Sequence, residues 1–170
     1  CIRDSVRGDR AMSDNVFAPL ADAFPEVEFE TVLDSQQDVA HVAADQYSEF
    51  VAAARAAGFD VFADLCGVDY LRRERRFEVV LNLLSHQHVR RLRIRVGVPA
   101  ADPVVSTITD VFPGANYYER EAFDLFGIVF AGHPDLTRIV LPDEWEGHPL
   151  RKDYSVGSVP VRFKESPKAQ

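Results

Sequence analysis

Val89-Arg90-Arg91-Leu92-Arg93-Ile94-Arg95-Val96-Gly97-Val98 is the stretch on which the fold turns. Within it Leu92, Ile94 and Val96 alternate with Arg91, Arg93 and Arg95. A strand sends successive side chains to opposite faces, so this period of two predicts one buried face and one basic face. Two further strand candidates precede it, Asp60 to Tyr70 and Phe77 to Leu84. The segments between the three, an Arg-rich turn and Ser85-His86-Gln87-His88, are short enough for hairpins, so the pairing expected is antiparallel.

Toward the N-terminus, Val27, Phe29 and Thr31 alternate with Glu26, Glu28 and Glu30, and Val39 to Val42 offers a hairpin partner. Ahead of them Val16, Phe17, Leu20 and Phe24 follow helical spacing, with Asp14 or Asn15 as cap, Pro19 in the first turn and Pro25 as terminator. Asp45 is placed to cap a second helix that gathers Tyr47, Phe50, Val51 and Ala54 on one face and ends at Gly58. Toward the C-terminus, Asp102-Pro103 reads as the start of a helix carrying Val104, Val105, Ile108 and Phe112, stopped by Pro113. Asn116 followed by Glu119 has the spacing of a capping box for a helix from Tyr117 to Phe126, closed by Gly127.

These elements predict a single α+β domain: a mixed, mostly antiparallel sheet with helices packed on one face, plus an extended C-terminal strip. Residues 12–127 form the core. Residues 128–154 hold too many prolines and glycines for long regular elements, yet Leu136, Ile139, Leu141, Trp145, Leu150 and Tyr154 speak against disorder. A strip laid on a partner satisfies both facts. Residues 155–170 read as a tail that orders when bound, and residues 1–11 as an N-terminal extension ahead of Met12-Ser13.

The chain has 170 residues, 46% hydrophobic and 27% charged, enough for one self-sufficient core. Its net charge of -8 argues against nucleic acid as a partner, because phosphate binding calls for a basic domain or face. The clusters Arg72-Arg73, Arg75-Arg76 and Arg90 to Arg95 are read as a solvated turn and strand face. Two cysteines, Cys1 and Cys66, form no Cys-x-x-Cys pair, which argues against a disulfide scaffold and an iron-sulfur cluster; Cys66 reads as a small buried hydrophobe. No apolar run approaches the roughly 18 residues of a membrane span. Without an apolar leader segment either, the chain is expected on the cytosolic side.

Candidate chemistry is sparse. Glu119, Glu121 and Asp124 suggest an acid/base group, but on a helix Arg120 and Asp124 stand one turn apart and can pair, while Glu119 serves the cap. His86 and His88, then His133 and His148, lack the third ligand that a zinc site needs. Each Gly-His-Pro triplet reads more simply as a tight turn whose imidazole bonds locally or to a partner. Neither a Gly-x-Gly-x-x-Gly fingerprint nor a Gly-x-Ser-x-Gly elbow is present. Catalytic, metal and cofactor residues are therefore assigned to none, and binding is the expected role.

The residues that carry most information are Glu119-Arg120-Glu121, Asp124-Leu125-Phe126-Gly127, Gly132-His133-Pro134-Asp135-Leu136, Arg138-Ile139 and Glu146 to Tyr154, with Asp64 to Tyr70 upstream. In order and spacing they resemble the signature of the 30 kDa (C-type) subunit of respiratory complex I, the proton-pumping NADH:quinone oxidoreductase. Thr137 departs from it, standing where a basic residue is expected. The resemblance implies a non-catalytic subunit of the peripheral arm, on the cytoplasmic side of the cell membrane, whose membrane contact is indirect. It implies no cofactor bound by this chain, with FMN and iron-sulfur clusters carried by partner subunits. The partners implied are the 49 kDa (D-type) subunit and adjacent iron-sulfur subunits. Interface and signature residues are then Glu119, Arg120, Glu121, Asp124, His133, Asp135, Arg138, Trp145, His148, Arg151, Lys152, Asp153 and Tyr154. Rival readings are the equivalent subunit of a deazaflavin-dependent dehydrogenase or membrane-bound hydrogenase, and a stand-alone small enzyme using the three carboxylates.

Overall fold

Leu92, Ile94, Val96 and Val98 are fully buried, and across the ladder they face Leu83, Leu81, Val79 and Phe77 in turn, all equally buried. The period-two reading thus sets the register of the two central strands in a computed structural model that describes residues 16–32 and 37–155. In chain order the elements are α1 (Ala18–Ala23), β1 (Glu28–Val32), β2 (Gln37–His41), α2 (Tyr47–Ala56) and β3 (Val61–Asp69). Then follow β4 (Phe77–Ser85), β5 (Arg90–Val98), β6 (Val104–Ser106), α3 (Ala115–Phe126) and β7 (Val129–Ala131).

The main sheet runs β1-β2-β5-β4-β3. Its pairs are antiparallel except β2 with β5, so the sheet is mixed as expected. One core cluster joins the inward side chains of the sheet to Leu20 of α1, to Tyr47, Phe50, Val51 and Ala54 of α2, and to Ala115 and Ala122 of α3. The helices therefore cover one face. On the other, Arg95 pairs with Glu78 at 2.6 Å and Arg93 bonds Asn82 at 3.0 Å. Arg76 likewise pairs with Asp69, so the arginines read as solvated are in part tied to neighbours.

Five local expectations are corrected. Residues 104–106 are a strand, not the start of a helix: β6 pairs in parallel with β7, and Val129 N–H donates to Pro103 O at 2.8 Å. Two β-branched valines suit a strand, and a sequence-distant partner that takes up their backbone bonds outweighs the local helix-start signal. Only one helical turn survives downstream, where Phe112 N–H donates to Ile108 O at 2.7 Å. The N-caps are Gln46 for α2 and Gly114 for α3, neither with a side-chain cap bond, so Asp45 does not cap and Asn116-Glu119 is no capping box. Glu119 is drawn away by a buried partner described below. Cys66 is exposed, because the irregularity between Phe62 and Asp64 leaves Leu65 inward and Cys66 outward. The N-cap of α1 is Phe17, again without a side-chain cap bond, and not Asp14 or Asn15. Those two residues, with residues 1–11 and 156–170, lie outside the described residues.

Candidate functional site

An α-helix ends with carbonyls that have no partner in the helix and carry the negative end of its dipole. In α3 those carbonyls meet the signature strip. Gly127 takes the left-handed conformation at φ +71 as C-cap, as the sequence predicts, and turns the chain away. His148 Nδ1 then lies 2.9 Å from Asp124 O, the Leu150 amide donates to Leu125 O at 3.1 Å, and Arg151 Nε donates to Phe126 O at 2.6 Å. Because a carbonyl only accepts, His148 carries its proton on Nδ1. Burial lowers its pKa, and the nearby Arg151 and Arg138 add to this against the raising effect of the bond to Asp124 O, so the charged form of the ring is disfavoured. The guanidinium of Arg151 also stands over the Phe77 ring, 5.0 Å from its centre.

Asp124 is the hub. Its side chain is fully buried; Oδ1 takes Arg138 at 2.6 Å and Oδ2 accepts the amides of Ile139, Val140 and Leu141 at 3.1, 2.8 and 2.9 Å. Burial alone would raise its pKa, but the amides of Leu141 and Val140, then Arg138 and the Ile139 amide, outweigh it and hold the carboxyl below its usual range. Arg138 reaches on to Gly147 O at 3.2 Å. The expected pairing of Arg120 with Asp124 is not made. Arg120 instead donates to Thr137 O at 3.1 Å and Thr137 Oγ1 at 2.7 Å. A basic residue at 137 would face that guanidinium, whereas threonine supplies an acceptor.

A second lock holds the far end of the strip. Asp69, at the end of β3, accepts both nitrogens of an Arg76 fork at 2.9 and 2.8 Å, and the amides of Leu71 and Lys152 at 2.8 Å each. Arg76 also grips Asp153 at 2.6 Å. The Arg76 hydrogen bonds lower the pKa of both acids, and for Asp69 the amides of Lys152 and Leu71 add to this against the effect of burial. The roles of Asp69 and Arg76 were not assigned from the sequence. An acid at a strand end before an arginine-rich turn is a weak signal, since its partner Lys152 is 83 residues away.

The remaining signature residues sit apart. Glu119, fully buried, accepts Thr107 Oγ1 at 2.6 Å and the Ile108 amide at 2.9 Å, tying α3 to the segment after β6. Burial raises its pKa to about 7. Tyr47, whose hydroxyl is buried without a hydrogen-bond partner among the described residues, is pushed well above its usual pKa by burial and then by Glu119. His133 accepts the Asp135 amide on Nδ1 at 3.0 Å and lies 3.3 Å from Asn116 O through Nε2, a local turn as expected. Tyr154 donates to Glu146 O at 3.3 Å, with its ring against Gly147. Trp145 is half-buried with its Nε1 enclosed and unpartnered among the described residues. Glu121 and Asp135 are exposed.

The geometry joins Asp124, Arg138, His148 and Arg151 at one helix end and Lys152 and Asp153 at a neighbouring lock. It does not bring Glu119, Glu121 and Asp124 onto a common partner. Among the described residues no group of three or more His, Cys, Asp or Glu side chains could hold a metal ion, and no helix is long and apolar enough to cross a membrane.

Residues 40–159 match the family described as respiratory-chain NADH dehydrogenase, 30 Kd subunit. A relative from Roseiflexus castenholzii, the C-type subunit of an NADH-quinone oxidoreductase, is 58% identical over 59% of this chain and 58% of its own. The protein of the same name from Salinispora arenicola is 41% identical over 89% of this chain and 64% of its own. The chain thus spans less than two thirds of the length of these relatives. Among solved structures, a trypsin-resistant fragment of Nqo5 is 38% identical, covers 69% of this chain and 94% of its own, and superposes with a TM-score of 0.62. A chain of an archaeal membrane-bound sulfane sulfur reductase, 22% identical, covers 89% of this chain and 94% of its own at a TM-score of 0.72, a likeness of fold alone. With the match running from β2 through both locks of the strip, the chain belongs to the family of the 30 kDa subunit of respiratory-chain NADH dehydrogenase.

Proposed function

We propose that this chain works as the 30 kDa (C-type) subunit of an NADH-quinone oxidoreductase, a non-catalytic part of the peripheral arm that assembles and stabilises the quinone-side connecting module. The enzyme would pass electrons from NADH through FMN and iron-sulfur clusters, held by other subunits, to quinone, coupled to proton translocation. The partners would be the 49 kDa (D-type) subunit and the adjacent iron-sulfur subunits, on the cytoplasmic side of the membrane.

The observation that carries this reading is the family match over residues 40–159, which includes the residues of both locks. The chemistry agrees with it: the polar groups of Asp124, Arg138, His148 and Arg151 are spent on one another and on α3, which suits a rigid presenting surface better than proton transfer. Among the side chains the strip turns outward are Ile139, Val140 and Leu150, at 40%, 55% and 51% exposure, and these suit contact with a partner.

The test is a tagged chain expressed in its native host, extracted in mild detergent and run on a native gel stained for NADH oxidation. Comigration with a large NADH-reactive band containing iron-sulfur subunits is the expected result. Recovery as a free monomer, under extraction that leaves the host's NADH-oxidising complex intact, would overturn the reading.

A further inference from the structure

β3 is the outermost strand of the main sheet, nine residues long, and pairs on one side with β4. Among the described residues no loop, turn or side-chain hydrogen bond reaches the backbone of residues 61–68 from the other side. Proteins normally blunt such an edge with lysine, proline or a bulge, because a row of free amides and carbonyls templates another strand. The sequence Val61-Phe-Ala-Asp-Leu-Cys-Gly-Val-Asp69 has neither lysine nor proline, and its one irregularity lies near the start, between Phe62 and Asp64. The stretch from Asp64 onward is left open.

Alongside that stretch runs a groove of about 220 Å³ between the strand and α3, its apolar wall formed by Ala122, Leu125, Phe126 and Leu150. Asp64 and Glu121 line the same groove, and neither has a hydrogen bond or ion pair among the described residues. An open strand edge, an apolar groove and two uncompensated carboxylates together define one occupant. We propose that the β3 edge takes an extended segment of a partner protein as a further strand, with a Lys or Arg between apolar side chains: the backbone bonds to β3, the apolar groups enter the groove, and the cation meets Asp64 and Glu121. A second copy of this chain fits poorly, since edge-to-edge pairing would set both pairs of carboxylates against each other. An anionic membrane surface is repelled for the same reason. The inference rests on the proposed subunit role only for where the partner is found.

The experiment places a photo-reactive amino acid at Cys66, an exposed groove residue, in the full tagged chain in its native host, and sequences the crosslinked peptide by mass spectrometry. In parallel, the Asp64→Lys, Glu121→Lys double variant is measured for co-purification and for thermal unfolding of the isolated chain. The expected result is a crosslink to an extended, Lys- or Arg-containing segment of another protein, and loss of co-purification by roughly tenfold or more with an unchanged unfolding midpoint. Crosslinks to residues 156–170 of this chain, to a second copy or to lipid, no crosslink, or full recovery of the double variant with its partners, would overturn the proposal. A strand crosslinked from a protein outside any NADH-oxidising assembly would uphold the edge and overturn the subunit role. Co-purification with that assembly, with no crosslink and no loss in the double variant, would do the reverse.

Discussion

Arg138 Nη1 lies 2.6 Å from Asp124 Oδ1, and this ion pair between strip and helix is closed from the other side by the three amides that follow Arg138. A fully buried carboxylate is costly to leave uncompensated, so acid and strip depend on each other. Asp124→Asn keeps the shape but loses the charge, and turns a donor toward donors. It should lower unfolding stability by about 3 kcal/mol in urea titration. Arg138→Met leaves the amides in place and should cost less, about 2 kcal/mol. Equal effects would mean that the amides do not share the work of holding Asp124.

Glu119 gives the chain a stability that falls as pH rises from the acid side toward neutrality. Its pKa in the folded protein stands at about 7 against an ordinary 4.5, raised by burial. A raised acid favours folding when neutral, so its contribution is fully present below pH 4.5 and is lost as pH rises through about 7. The loss amounts to about 3 kcal/mol by linkage. Glu119→Gln should remove this slope and make the variant the more stable protein at pH 8, with little change at pH 4.5. Urea denaturation midpoints from pH 4.5 to pH 8 would show it, and parallel curves would mean that Glu119 is ionised as readily folded as unfolded.

Asp69, Asp124 and Asp153 work in the opposite sense. Their pKa values are lowered in the fold, so their contribution is present above the ordinary carboxylate range near 3.8 and is lost as pH falls through the depressed values. With Glu119 acting from the other side, stability should peak in mildly acid solution. Arg76→Met should weaken the acid limb and free the Lys152 amide, which Asp69 holds at 2.8 Å. Faster hydrogen exchange at Lys152, with the amides of Ile139 to Leu141 unchanged, would separate this lock from the Asp124 hub.

What the sequence shows of this molecule follows the range of its physics. Alternation in β5, the apolar face of α2 and the glycine that ends α3 are local signals, and each is realised with nearly the bounds read from the residues. The sequence misleads where a distant partner competes. Val104-Val105 joins β7 rather than a helix, Glu119 leaves the cap for Thr107, and Asp124 chooses Arg138 over Arg120. In each case a buried bond formed across the fold is stronger than an exposed bond available within one turn. Arg138, His148 and Arg151 show their inward bonds only once the fold brings α3 and the strip together, since their partners on α3 lie 14 to 25 residues away.

Gly127 tests whether the helix end and the strip form a single unit. At φ +71 it occupies backbone space that a β-carbon resists, and a β-carbon there would stand 2.6 Å from the His148 ring and against the Arg151 guanidinium. Gly127→Ala therefore meets two penalties, backbone strain and a clash with the groups that satisfy the α3 carbonyls. Strain alone costs about 1 kcal/mol, and displacing the two side chains should bring the total to about 3 kcal/mol. Arg151→Ala removes one clashing group together with its bond to Phe126 O, at an expected cost of about 1–2 kcal/mol. If helix end and strip act as one unit, the double variant will be less destabilised than the two single effects added together, because the clash with Arg151 is absent from it. Additive losses in a double-mutant cycle would instead mean that Arg151 yields freely, and that the strip is held by Asp124 and Asp69 alone.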